Sequence, residues 1–124
     1  MMDQPSMREL VEAVREFLEQ KAMPELKGHT AFHARVAANA LAIVARQLEQ
    51  GPQAEAAELE RLRALLGRDG TPEELNRALC QAIRSSELDV LSPELQQHLE
   101  RTARAKIEID QPNYSGLRIA RERD

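Results

Sequence analysis

A chain of 124 residues fits one domain with a modest core, and its 42% apolar content with only 2% aromatic residues favours helices over sheet, packed through alanine and leucine. Such small side chains leave little room for a large internal ligand pocket. The formal charge of −4 is distributed as −1 over residues 1–50, −5 over 51–100 and +2 over 101–124, which disfavours sequence-independent binding to nucleic acid.

Cys80 is the only cysteine, so no internal disulfide can form, and its place in a helical pattern predicts a small buried apolar residue. The start of the chain has no basic segment leading into an apolar run, and no stretch approaches ~18 consecutive apolar residues. Neither a signal peptide nor a membrane span is expected, and a cytoplasmic location follows.

The fold expected is all-α: a compact bundle of about five helices with a central Ala-rich helix over about 30–50 and a C-terminal turn. Ser6 and Glu9 form a capping box that starts the first helix. Leu10, Val14, Phe17 and Leu18 fall on its inward face, and Pro24 and Gly28 end it. The second helix runs from about Thr30 to Gln50, where Gly51 and Pro52 stop it. It is apolar around most of its circumference, so it is expected at the centre, with Val36, Ala40, Leu41, Ile43 and Val44 among the least exposed residues.

The third helix, from Pro52 to Leu66, carries a stripe of Leu59, Leu62 and Leu66 and is expected on the surface. Thr71, Pro72 and Glu74 restart the chain as cap, first turn and capping box. The fourth helix then buries Leu75, Leu79 and Ile83. Ser92 and Pro93 open the fifth, with Leu95, Leu99, Ala103 and Ile107 facing inward. Pro112 and Gly116 break the pattern, giving a single helical domain over 1–116 and a charged C-terminal tail over 117–124, either frayed or a short helical turn.

No catalytic residue, metal set or cofactor motif emerges. His29 and His33 stand four apart, as helical metal ligands do, but only the distant His98 could join them. His33, Arg35 and Asn39 are candidates for binding or for interhelical polar contacts. Arg35, Asn39 and Arg46 draw a polar line along the second helix, with Asn39 expected partly buried against backbone and Arg35 paired with a carboxylate. Asn113 and Tyr114 are candidates in the closing turn, Asn113 as its cap and Tyr114 as a lid over the core or a contact for a partner.

The segments "FHARVAANALAIVARQL", "ELNRALCQAIRSSELD" and "AKIEIDQPNYSG" together resemble a small bacterial family known only as a domain of unknown function, from the first helix to about Gly116. Members of that family are typically encoded beside an aminoglycoside-phosphotransferase-like kinase and acyl-CoA dehydrogenases. The resemblance implies a link to acyl-CoA catabolism and a phosphotransferase-like partner, and no activity of its own. The reading that follows is a non-catalytic accessory or interaction protein without nucleic-acid or membrane partners. Its rivals are a small-molecule module holding an acyl group or acyl-CoA, with Arg35, His33 and Asn39 at the polar end of an interhelical slot, and a helix-turn-helix regulator built on the fourth helix.

Overall fold

The computed structural model describes residues 4–124, which form an all-α fold: α1 Met7–Phe17, α2 Gly28–Leu66, α3 Pro72–Arg84, α4 Pro93–Asp110 and α5 Ser115–Glu122. The chain divides into two compact units, one up to Pro52 and one from Gln53 onward. The 39 residues of α2 supply helix to both.

The capping box of Ser6 and Glu9 starts α1 as its sequence requires. Past Phe17 the helix widens into a π turn over Leu18–Ala22 and tightens into a 3-10 turn over Met23–Glu25. Pro24 in that turn cannot donate its nitrogen, and the chain becomes extended at Leu26. Gly28 takes φ +62°, a left-handed conformation that only glycine adopts at no cost, and so turns the chain back into α2. An ion pair of 3.2 Å between Arg8 near the start of α1 and Glu49 of α2 shows that α1 runs antiparallel to the first part of α2.

The expected break at Gly51 and Pro52 does not occur: Pro52 lies inside α2. Proline normally expels the preceding residue from helical geometry by colliding with its Cβ, and glycine at position 51 has no Cβ to strike. Gly51 is also buried, with the Gln47 side chain lying where a Cβ would project. The Gly-Pro pair is therefore a tolerated step within one helix rather than a terminus. The helix stops at Gly67, φ +64°, whose N–H donates to the Arg63 carbonyl at 2.8 Å in the usual glycine C-terminal turn.

In the first unit the buried side chains are Ala34, Ala38 and Ala45 of α2, while Val11 of α1 and Leu18 and Ala22 of the π turn are half-buried. Small residues let the two helices approach closely, but they bury little area per residue. The residues expected at the centre are not there: Val36 is 49% and Val44 44% exposed, Ala40 is exposed, and Leu41 and Ile43 are half-buried. The first helix differs from expectation in the same way, with Leu10, Val14 and Phe17 exposed and no residue fully buried. An apolar surface is buried only when another element covers it, and a hairpin offers each helix one neighbour.

The second unit holds the larger side chains. Leu62, Leu75, Leu79 and Leu95 form its core, with Leu59, Leu65, Leu66, Ile83 and Leu88 packed against them. The leucine stripe expected on a surface helix is thus the centre of this unit. Caps by Thr71 and Ser92 hold the starts of α3 and α4. Cys80, expected in the core, is exposed, one position beyond the inward Leu79. On α4 the inward residues are Leu95, His98 and Ile109, whereas Leu99 is 47% exposed and Ala103 is exposed.

The closing segment takes the helical alternative. Leu117 of α5 is buried, and Arg104 of α4 binds Asp124 at 2.6 Å and the Ala120 carbonyl at 3.2 Å. The guanidinium holds the Asp124 carboxyl below its ordinary pKa through that hydrogen bond. Among the described residues no helix is long and apolar enough to cross a membrane.

Candidate functional site

Two places combine exposure with a specific arrangement of side chains, one in each unit. The first is a side of the α1–α2 hairpin. On α1, Met7, Leu10, Val14 and Phe17 are 71%, 52%, 51% and 59% exposed, at steps of three, four and three that draw one stripe along the helix. At ~100° of rotation per residue, this stripe lies to one side of the line Val11–Leu18 that faces α2. Leu41, Val44 and Leu48 of α2 lie in the same rotational sense from Ala38. In an antiparallel pair, equal rotational sense brings both stripes to the same side of the hairpin.

The opposite side is charged. Arg15 of α1 bonds Glu12 at 2.6 Å and Glu19 at 3.2 Å, and hydrogen bonding to Arg15 holds the Glu12 carboxyl below its ordinary pKa. From α2 the line of Arg35, Asn39 and Arg46 rotates towards that same side. Asn39 and Arg35 are exposed rather than buried, and among the described residues no carboxylate forms an ion pair with Arg35. Arg35 and Asn39 lie on the solvated side of the hairpin, and Arg46 is half-buried. His33 is exposed as well, its ring edge-on to the exposed Phe32 at 5.6 Å, and among the described residues no three His, Cys, Asp or Glu side chains gather as a metal site.

The second place lies between α2 and α4 within the second unit. His98 is 2% exposed, and its Nδ1 accepts a hydrogen bond of 3.2 Å from Nε of Arg61, while Nη2 of Arg61 donates to Thr102 Oγ1 at 3.1 Å. A guanidinium cannot give up its proton, so His98 Nδ1 must be the bare nitrogen and Nε2 must carry the hydrogen. Burial first, and the Arg61 charge second, push the His98 pKa down against the opposing pull of Glu58. The ring is a neutral acceptor committed to Arg61. It holds position and has no free lone pair with which to abstract a proton.

Arg61 and His98 border a cleft of about 220 Å³ lined also by Leu65, Glu94, Gln97 and Arg101, smaller than typical small-molecule sites of roughly 300–1,000 Å³. A second cleft of about 300 Å³ lies beside Tyr114, Lys106, Asp110 and Gln111. Tyr114 is half-exposed and is the N-cap residue of α5, without a side-chain capping bond. Its ring leans over Gly116, where a Cβ would strike it. The closing turn is held by backbone bonds from Tyr114 N–H to Gln111 at 3.0 Å and from Leu117 N–H to Tyr114 at 3.1 Å, so the capping role expected of Asn113 falls to the main chain. Asn113 itself is exposed.

The structure thus brings Tyr114 to a cleft, and leaves His33, Arg35 and Asn39 on the open surface of the hairpin, lining neither cleft. The trio of Arg61, His98 and Thr102 was not read as a site from sequence. Its signal is the run Leu95, His98 and Thr102 at steps of three and four on one face of α4, which the more apolar run through Leu99 and Ala103 outweighs.

A family model described as a domain of unknown function, DUF6285, matches residues 24–114. No curated protein and no solved structure matches the chain.

Proposed function

The chain belongs to the DUF6285 family, and from that premise we propose that it is a non-catalytic accessory protein that meets another polypeptide through the apolar side of the α1–α2 hairpin. The observation carrying this reading is the stripe of Met7, Leu10, Val14 and Phe17, each more than half exposed. Leaving such half-exposed side chains in water forgoes roughly half or more of the ~1.5–3 kcal/mol that full burial supplies to each, and contiguous exposed apolar surface marks interaction sites in soluble proteins. The buried histidine offers no competing chemistry, because its one basic nitrogen is engaged by Arg61.

The resemblance of the sequence to a bacterial family encoded beside an aminoglycoside-phosphotransferase-like kinase supplies the first partner to test, in a cytoplasmic setting linked to acyl-CoA catabolism. Co-expression with that kinase followed by size exclusion should yield a stable complex. Separate elution at micromolar concentrations would remove the kinase as a partner. The small-molecule reading moves from the hairpin to the Arg61 and His98 cleft, whose guanidinium bonds only neutral acceptors there and whose size suits a small carboxylate better than an acyl-CoA. Calorimetric titration with acetate and with acetyl-CoA separates these two ligands.

A further inference from the structure

We propose that the polypeptide covering the apolar side of the hairpin is a second copy of this chain, so that two hairpins close into a four-helix arrangement. The inference rests on the docking role assigned above to this face and names its occupant.

Three observations select a like copy. The seam on α1 runs Met7, Leu10, Val14, Phe17 without an intervening charged side chain on that side, and its steps of three and four residues are those of helices packed side by side in a bundle. The charged side chains of α1 lie off this seam, with Arg8 paired to Glu49 at 3.2 Å and Arg15 to Glu12 and Glu19. A second copy, which presents the same neutral face, therefore meets no like charge, as a two-fold interface requires. The area also suffices: the α1 stripe with Val44 and Leu48 exposes on the order of 500 Å² per chain, or ~1,000 Å² for two, which reaches the floor for a specific interface.

Sedimentation velocity of the full chain, alone and with the co-expressed kinase, tests this. The chain alone should sediment as a dimer at micromolar concentration, with little change in 1 M NaCl, because the seam is apolar. Leu10→Glu and Phe17→Glu should each raise the dimer dissociation constant at least 100-fold while helical circular dichroism is retained. Asn39→Glu, on the charged side, should leave the dimer intact. If a seam variant loses helicity, the milder Phe17→Ala, expected to weaken the dimer about 10-fold, decides the matter. A wild-type monomer whose kinase complex is lost in Leu10→Glu would overturn the second copy and keep the docking face. A monomer whose kinase binding ignores Leu10→Glu would overturn both, and a dimer that survives both glutamate variants would place the interface elsewhere.

Discussion

The two parts of α2 differ in a way opposite to their composition. Before Pro52 the helix is rich in alanine, yet of its apolar side chains only Ala34, Ala38 and Ala45 are buried, and Val36 and Val44 stand nearly half in solvent. Beyond Gln53 the helix alternates charge with leucine, yet Leu62 is 0% exposed and anchors the main core. Apolar content states what a helix can bury. The number of elements packed against it decides what is buried, and the leucine-rich part has α3 and α4 contributing to one cluster, while the alanine-rich part has the facing helix of a hairpin.

The largest effect that could break this comparison is a pair of truncations. Leu62→Ala should cost about 2–5 kcal/mol, because it empties a fully enclosed site. Val36→Ala should change stability by no more than ~0.5 kcal/mol, as is usual for exposed positions. Chemical denaturation of both variants checks the contrast, and equal losses would erase the distinction between the two parts. Ala38→Leu should come next, at roughly 1–3 kcal/mol, since Ala38 is 1% exposed where α1 and α2 approach closely. A melting temperature unchanged by this substitution would show that the hairpin is loosely packed.

A smaller effect belongs to the polar trio of the second unit. The His98 pKa is lowered in the folded chain, chiefly by burial, so below the ordinary value of about 6.5 the unfolded chain takes up a proton that the folded chain refuses. Stability is therefore full above that pH and falls as pH drops from about 6.5 towards the lowered folded value. His98→Gln should remove this component of the pH dependence, leaving the carboxylate contributions at lower pH. Denaturation midpoints between pH 7.5 and 5.5 provide the check, and an unaltered slope in His98→Gln would assign the dependence to other groups.

Local chemistry was legible in the sequence wherever a few neighbouring residues decide the outcome. Ser6 with Glu9, Thr71 and Ser92 cap the helices they were expected to cap, and Leu75, Leu79 and Leu95 point inward as their spacing requires. The continuity of α2 was hidden because Gly and Pro each signal a terminus, whereas together they relieve the clash that makes proline a breaker. The register of α4 was hidden for a different reason. Leu99 is more apolar than His98, but Arg61, which also donates to Thr102, donates to the imidazole and makes the polar register the buried one. The exposed placement of Arg35 and Asn39 depends on which sides of α2 acquire neighbours, and no local pattern encodes that. The partly buried site expected for them became the solvated side of a hairpin, while Tyr114, expected as a lid or a partner contact, lies half-exposed beside a cleft.

Hydrogen exchange across a concentration series tests most directly whether the apolar side of the hairpin is a docking surface for a second copy. Amides of α1 between Leu10 and Phe17 should exchange more slowly as the protein is raised from nanomolar to tens of micromolar, while amides of α3 around Leu75 and Leu79 keep the same rates. The protection in α1 should vanish in Leu10→Glu. Exchange in α1 that ignores concentration throughout the series would contradict the account.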